Sequence, residues 1–209
     1  MEAVALPTRA HLLATARRLL DAEGGPLTLR EIARRGGLSH GAPLRHFPSL
    51  SALLAALAAQ GFRELMNSVD AAAAEAGPHA APLERLATAG RGYVRFALGS
   101  PCVFALMFHP DRVDTTDPEY REAGQAAFGQ LLGLVAAAQA AGFRPDVPTT
   151  DLASVVWAAV HGLAQLSIQG AMQGAGGAEL EPALDVLSDL LFGVRRDQAA
   201  RSARRRTPR

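Results

Sequence analysis

The residues with the clearest chemical potential lie between positions 28 and 54, in the segment TLREIARRGGLSHGAPLRHFPSLSALL. A short predicted helix leads through Gly36 and Gly37 into a short basic segment, which begins at Ser39 and ends before Pro48. Arginine and histidine side chains next to small residues can approach DNA base edges and the phosphate backbone. This order of elements is typical of a helix-turn-helix that enters the major groove.

Ten residues of this segment are predicted to contact DNA. Arg45 can contact a guanine or a phosphate, and His40 and His46 can donate hydrogen bonds to bases. Thr28 offers a hydroxyl and backbone N–H groups to a phosphate at the start of a helix. Arg34 either contacts a phosphate or belongs to a solvated helix face, and both interpretations stay open. The predicted contacts are Thr28, Arg34, Ser39, His40, Gly41, Ala42, Pro43, Leu44, Arg45 and His46.

Local signals predict how this segment is held. Thr28 and Glu31 form a T-x-x-E capping box at the start of the second predicted helix. Gly37 can adopt the positive φ that the turn requires. Ser39 is expected to cap the third helix, which Pro43 makes tightly wound or irregular. Residues 1–50 are therefore predicted to form a three-helix head.

Residues 51–195 are predicted to form a larger helical body, since leucine and alanine dominate and no alternating β-branched run occurs. Gly- and Pro-rich segments separate its predicted helices. These helices span about 49–75, 82–98, 119–141, 149–173 and 179–195. The helix at 149–173, capped by Thr149 or Thr150, is apolar nearly all round, so we expect it to be buried on more than one side. The chain is thus predicted to be all-α, with the last two helices pairing across a two-fold axis in a homodimer.

The charge is distributed unevenly along the chain. Residues 1–50 carry seven arginines and four acidic residues, whereas residues 51–194 carry seven arginines and fifteen acidic residues. The last fifteen residues hold seven arginines and one aspartate. A basic head on an acidic body indicates a polyanion bound at one end. The tail at 196–209 is predicted to be disordered, and it acts either as a solubilising end or as a nucleic-acid arm.

Composition excludes several other classes of protein. One cysteine, Cys102, permits no internal disulfide and fits a reducing compartment. No uninterrupted apolar run of about 18 residues and no signal peptide are found, so we expect a cytoplasmic protein with no membrane partner. The histidines show no metal-ligand spacing, and no set of base, orienting group and oxyanion donor is recognisable. We therefore expect no metal site, no cofactor and no enzyme activity.

A set of aromatic residues and a methionine in the predicted body can either fill the core or line a ligand cavity. For each residue alone the core is the commoner role. Trp157 and His161 lie four residues apart and share a helix face. The set predicted to bind a ligand is Phe96, Phe104, Met107, Phe108, Phe128, Trp157 and His161.

Residues 28–54 resemble the DNA-binding domain of the TetR family of transcriptional regulators, whose pattern is G-V-S-x-x-x-x-Y-x-H-F-x-x-K-x-x-L-L. The matching residues are Gly37, Leu38, Ser39, His46, Phe47, Leu53 and Leu54. The segment VVWAAVHGL, with FALMF after Pro101, resembles a C-terminal subfamily named for a W-H-G motif. The resemblance implies a repressor that binds a near-palindromic double-stranded DNA operator and is released by a small apolar or amphipathic effector.

Two positions depart from the family pattern. Leu44 replaces a tyrosine and Leu50 replaces a lysine, and in the family both typically hold phosphates. A dimer would therefore lack two charged phosphate contacts, and the salt slope of DNA binding should be shallower by roughly 2. The alternative function is a ligand-binding helical dimer with weakened or lost DNA binding. We hypothesise that the arginine tail compensates, in which case deletion of residues 195–209 would lower both DNA affinity and salt slope.

Overall fold

The computed structural model describes residues 8–23, 27–174 and 179–193. Within them the chain forms nine α-helices and no strand, which confirms the all-α prediction. The predicted basic tail at 196–209 lies outside the described residues. The helices are α1 (Thr8–Glu23), α2 (Leu29–Arg35), α3 (Leu50–Glu75), α4 (Pro82–Gly99), α5 (Pro101–Met107), α6 (Pro118–Ala140), α7 (Thr149–Ile168), α8 (Ala171–Gly174) and α9 (Leu180–Phe192).

Short polar side chains cap the first turns of two long helices, α3 and α6. The Ser49 side chain accepts a hydrogen bond from the N–H of Ala52 at 3.1 Å, and α3 starts at the next residue, as predicted. Asp117 caps α6 in the same way through the N–H of Tyr120 at 3.0 Å. Side-chain oxygens in these positions satisfy N–H groups that the first helical turn leaves without partners.

Helix α3 is the central element of the molecule. It has 26 residues and packs against α1, α4, α5 and α6. It crosses α4 closely at Gly92, whose carbonyl oxygen accepts a hydrogen bond from the Ser68 hydroxyl at 2.8 Å. A side chain at position 92 would overlap the backbone of Ser68. The absence of a side chain there allows the two helices to lie in contact.

One hydrophobic core runs from the head into the body. The same buried cluster contains Leu12 of α1, Ile32 of α2, Leu57 of α3 and Phe104 of α5. The division predicted after residue 50 falls at the first turn of α3, and the core continues across that point. A smaller buried cluster, which includes Val135 of α6, packs α4, α6 and α7 together.

Helix α7 differs from its prediction in three ways. It ends at Ile168 instead of continuing to about residue 173, because Gly170 takes φ +68° and breaks the helix before α8. Its N-terminal cap is Pro148, with no side-chain hydrogen bond, and not Thr149 or Thr150. Its outer face is exposed within the described chain, with Val155 57% accessible, so burial on more than one side does not occur in a single protomer.

Helix α9 is shorter than predicted and also has two faces. It ends at Phe192, followed by Gly193 in the left-handed conformation with φ +63°. Leu184 points inward and is buried, whereas Val186 and Leu190 are 56% and 76% exposed. The apolar side chains of α9 are therefore divided between the interior and the surface.

Candidate nucleic-acid interface and body cavity

Helix α2 is fixed by a side-chain cap and ended by a glycine turn. The Thr28 hydroxyl accepts a hydrogen bond from the N–H of Glu31 at 3.1 Å, as the capping box predicts. The reciprocal half of the box is absent, because the Glu31 carboxylate is bonded to arginines instead. Gly37 takes φ +66°, which confirms the positive φ expected at the turn.

Glu31 binds two arginines that follow it on α2. The Nε of Arg34 donates to one carboxylate oxygen at 2.8 Å, and the Nε of Arg35 donates to the other at 2.9 Å. Hydrogen bonds from Arg34, which has the larger effect, and from Arg35 lower the pKa of Glu31 to about 2. The predicted phosphate contact Arg34 is therefore exposed but already paired with a carboxylate of its own helix.

The predicted third helix is a series of turns that includes one short 3-10 turn at Pro43–Arg45. This agrees with the expectation that Pro43 makes the element irregular. Ser39 does not cap it through its side chain; the N–H of Ala42 donates to the Ser39 backbone oxygen at 3.0 Å. We call residues 39–46 the recognition turn. Its short helical length leaves most of its side chains outside any regular helix surface.

Most side chains of the recognition turn point into solvent. Leu44 is 62% exposed, and its neighbour Arg45 is exposed as well. Pro43 is the exception among the predicted contacts: it is buried and supports the turn from inside. The remaining predicted contacts are exposed or half-buried, namely Thr28, Ser39, His40, Gly41, Ala42 and His46. Apart from Pro43, the predicted contacts are therefore accessible at the surface of the head.

Arg30 belongs to the same surface but was missed in the sequence. Its exposed side chain lines a shallow depression together with Leu29, His40 and Leu44. The sequence could have identified Arg30 from its position two residues after the capping Thr28, which places an arginine at the start of α2.

The unusual residue Leu50 has a structural role. It is half-buried and packs against the main core at the start of α3. Beside it, Phe47 is 3% exposed, and the Arg9 guanidinium lies 5.3 Å from the centre of its ring. A lysine at position 50 would have to leave this apolar contact, so the leucine stabilises the junction between head and body.

The body contains a cavity of about 360 Å³ between α3, α4, the end of α5, α6, α7 and α9. Among the described residues that line it, none is charged. Seven of the eleven aromatic residues of the chain line this space. They are Phe62, Tyr93, Phe108, Tyr120, Phe128, Trp157 and Phe192.

Three polar side chains at one end of the cavity form a hydrogen-bonded chain. The indole N–H of Trp157 donates to the Tyr93 hydroxyl oxygen at 3.2 Å. The Tyr93 oxygen is hydrogen-bonded to Nδ1 of His161 at 2.8 Å. Burial lowers the pKa of His161 and raises that of Tyr93, so both groups are neutral near pH 7.

Four of the seven predicted ligand-binding residues line the cavity: Met107, Phe108, Phe128 and Trp157. The other three, Phe96, Phe104 and His161, are not part of its wall. Phe104 is fully buried and packs edge-on against Tyr93 at 5.6 Å between ring centres. It supports the wall from behind, together with the ring of His161 at 5.2 Å.

The remaining aromatic wall residues were missed. Phe62 follows Gly61 on α3, and its contacts with Phe108 and Tyr120 join residues far apart in the sequence. No local pattern marks such contacts. The described residues contain no group of three or more His, Cys, Asp or Glu residues that could hold a metal ion.

Two family models match the chain. Residues 12–57 match the model described as bacterial regulatory proteins, tetR family. Residues 86–191, about half of the chain, match the model described as tetracyclin repressor-like, C-terminal domain. The chain belongs to the TetR family of transcription regulators. This confirms the resemblance drawn from residues 28–54, and membership of the TetR family points to a transcription factor and not to an enzyme.

Solved structures agree with the TetR assignment. A protein of unknown function from Rhodococcus sp. RHA1 is 34% identical, with TM-score 0.79, and the match covers 92% of this chain and 98% of that one. The fatty acid degradation regulator FadR from Bacillus halodurans is 14% identical, with TM-score 0.68 and coverages of 91% and 97%. AibR, solved with isovaleryl coenzyme A and operator DNA, is 19% identical, with TM-score 0.65 and coverages of 89% and 98%. No curated protein sequence matches this TetR-family chain.

Proposed function

We propose that this TetR-family regulator is a repressor that binds a near-palindromic DNA operator as a homodimer in the cytoplasm. A small apolar or amphipathic molecule in the body cavity changes the position of the heads and releases the DNA. The recognition turn contacts base edges, and Thr28, Arg30 and Arg45 contact the backbone or guanines. The exposure of these side chains and the excess positive charge of the head support this assignment.

The observation that carries the proposal is the position of the N-terminus of α6. Tyr120 lines the cavity, and the preceding residue, Glu119, accepts a hydrogen bond from Arg9 of α1 at 2.6 Å. Glu119 also accepts from Arg63 of α3 at 3.0 Å. Coupling between two sites requires an element whose position both sites bias. The first turn of α6 touches both the cavity and the head, and it is suited to that role.

The dimer is supported by the outer faces of α7 and α9. Val155 and Leu166 of α7, and Val186 and Leu190 of α9, are all between 48% and 76% exposed. Apolar side chains concentrated on two helices of one protomer fit a self-complementary interface. Two protomers joined there would form a four-helix contact and present two heads to successive major grooves.

Helix α7 is also long and apolar enough to cross a membrane, with a mean hydropathy of 1.3 over 18 residues. Its inner face, however, packs into the body through Ala153 and Ala164, and His161 is hydrogen-bonded to Tyr93. A helix fixed in this way by the rest of the fold is better matched by a second protomer than by lipid. We therefore assign its outer face to the dimer.

One structural relative supports the proposal that this chain binds both DNA and a small molecule. The structure of AibR holds isovaleryl coenzyme A and operator DNA together, and its fold covers most of this chain. At 19% identity this likeness concerns the fold, and it makes an effector-regulated DNA-binding role the simplest proposal for this chain.

A gel-shift assay with the DNA that flanks the gene tests this function. We expect retention at low salt, and loss of retention as salt rises, because phosphate contacts release counterions. A protein with Arg45→Ala serves as the matched variant, and Arg112→Ala, in the loop between α5 and α6 of the body, serves as its control. Equal retention of both variants would contradict the assignment of the recognition turn.

The second candidate is a ligand-binding dimer that has lost useful DNA affinity. It is favoured by Leu44 and Leu50, which stand where the family holds phosphates. Under this alternative no fragment is retained even at the lowest salt, while the protein still binds small molecules. The same gel-shift series therefore distinguishes the two functions.

A further inference from the structure

We propose that the cavity takes an uncharged aromatic molecule of roughly a dozen to twenty non-hydrogen atoms, which carries one hydrogen-bonding group such as a hydroxyl. This inference rests on the proposed function only in taking the cavity as the effector site. The class of ligand is argued from the wall itself.

The first argument is the charge of the wall. Among the described lining residues the polar side chains are two tyrosines, a tryptophan, a glutamine and a serine, and none carries a charge. A carboxylate or phosphate in such a site would lose its water without gaining a counter-charge. Ionised ligands are therefore rejected by the wall.

The second argument concerns Arg91, an arginine next to a wall residue in the chain. Arg91 follows Gly90 of the wall on α4, but its guanidinium already donates to Glu181 and Asp185 of α9. An anionic ligand would have to displace two carboxylates to reach it. These ion pairs instead hold α9 against α4, and so keep Ser188 and its neighbours on α9 over the cavity.

The third argument is the concentration of rings. Aromatic residues make up 5% of the chain, yet seven of them surround this space. Several already pack edge to face, such as Phe62 with Phe108 at 5.6 Å and Phe128 with Trp157 at 6.0 Å between ring centres. A planar ring placed among them extends this edge-to-face packing, which an alkyl chain cannot do.

The fourth argument fixes the size and the polar group. A space of about 360 Å³ holds on the order of twelve water volumes, or somewhat more covalently bonded atoms. The amide of Gln130 donates to the Met66 carbonyl at 3.0 Å, and its oxygen has no partner among the described residues. The Ser188 hydroxyl likewise makes no hydrogen bond within them. A ligand hydroxyl can bond to either group.

The test compares two ligands that differ in charge. Para-phenylphenol and para-phenylbenzoate share two rings, and at neutral pH the first is uncharged and the second is an anion. Binding to the full chain is measured by calorimetry without DNA, and quenching of Trp157, the single tryptophan, locates it at the wall. We expect para-phenylphenol to bind on the order of a hundredfold more tightly. Decanol should bind more weakly than para-phenylphenol.

A matched pair of variants places a cation inside or outside the cavity. Ser188→Lys adds a positive charge at the wall, whereas Ser154→Lys adds one on the exposed surface of α7. In Ser188→Lys we expect the ratio of the affinities for para-phenylphenol and para-phenylbenzoate to fall to about tenfold or less. In Ser154→Lys the ratio should be unchanged. Thermal melting of both variants verifies that they are folded.

The outcomes separate this inference from the proposed function. Equal affinity for the two biphenyl compounds, tighter binding of decanol, or no binding of any of them overturns the inference, whatever the DNA result. Binding of para-phenylphenol by a protein that retains no DNA fragment leaves the inference standing and refutes the repressor.

Discussion

Glu119 joins the head to the body by accepting a hydrogen bond from Arg9 at 2.6 Å. The next residue, Tyr120, lines the cavity and donates its hydroxyl hydrogen to the Met107 carbonyl at 2.9 Å. Arg9 also lies over the ring of Phe47, directly after the recognition turn. From the wall residue Tyr120, its neighbour Glu119 and two contacts, Glu119–Arg9 and Arg9–Phe47, therefore lead to the end of the recognition turn.

Glu119→Gln tests this connection. The ion pairs of Glu119 are partly exposed, so we expect the free energy of unfolding to fall by no more than about 1 kcal/mol. The ratio of DNA affinities without and with ligand should decrease, because the variant weakens the link between α6 and α1. Gel shifts with and without para-phenylphenol measure that ratio. Glu122→Gln, on an exposed part of the same helix, should leave it unchanged.

Gly92→Ala tests the contact between α3 and α4. A Cβ at this position would overlap the Ser68 carbonyl oxygen and lie 2.7 Å from the Cβ of Ala72. Backbone cannot move aside cheaply, so we expect a loss of roughly 3 kcal/mol in the free energy of unfolding, measured with urea. Gly129→Ala on α6 meets nothing within 4 Å. Gly129→Ala should raise the free energy of unfolding by about 0.5–1 kcal/mol. A decrease would show that α6 is in fact closely packed at position 129.

The histidine of the hydrogen-bonded chain predicts a dependence of stability on pH. Burial lowers the pKa of His161 below its ordinary value of 6.5. The unfolded chain then binds a proton before the folded one does as the pH falls. The contribution of His161 to stability is complete above about pH 6.5 and is lost as the pH falls through the lower folded pKa. A nuclear magnetic resonance titration of the imidazole that gave 6.5 or more would contradict this.

The matched variants sharpen that measurement. His161→Gln removes the titrating group. Between neutral pH and about pH 5, the free energy of unfolding of this variant, measured with urea, should therefore fall less than that of the unmodified chain. His46→Gln, in the exposed recognition turn, should show the same fall as the unmodified chain.

Leu44 predicts a change in the salt dependence of DNA binding. Its side chain is 62% exposed on the recognition turn, so Leu44→Lys should not reduce stability. One added phosphate contact per head makes the salt slope of a dimer steeper by roughly 2. Leu98→Lys adds the same charge on α4 of the body, at a residue 38% exposed, and should leave the slope unaltered. Equal slopes for the two variants would place Leu44 away from the DNA backbone.

Leu190 tests the proposed dimer. It is 76% exposed on α9, and Leu190→Glu places a charge on the outer apolar face. We expect light scattering to show a monomer at concentrations where the unmodified protein is a dimer, since a buried unpaired carboxylate is costly. A dimer of unchanged stability in this variant would assign the interface to another surface. Leu98→Glu is the matched control on α4.

The sequence predicts the helices well where a local signal marks their ends. Thr28 and Ser49 cap their helices within the first turn, and Gly37 takes its positive φ, because these effects involve neighbouring residues only. The end of α7 was misjudged because the apolar pattern continues past Gly170. A single glycine there outweighs the pattern.

The two candidate sites also differ in how far the sequence predicts them. The recognition turn is continuous in sequence, so its surface could be predicted, apart from the buried Pro43. The cavity is assembled from six helices, and only packing decides whether a ring faces it. Phe104 and Phe62 look alike in the sequence, yet the first is behind the wall and the second is part of it.

The continuous core has a consequence for genetics. Since the cluster that holds Leu12 and Ile32 in the head also holds Phe104 in the body, damage to either part lowers the stability of both. A screen for alleles that lose regulation would then return body positions such as Gly92 and Gly61 along with the recognition turn. A Cβ added at Gly61 would lie 2.7 Å from side-chain atoms of Val103 and Met107. Abundance of the mutant protein in cells, and not the location of the mutation, would separate the two kinds of allele.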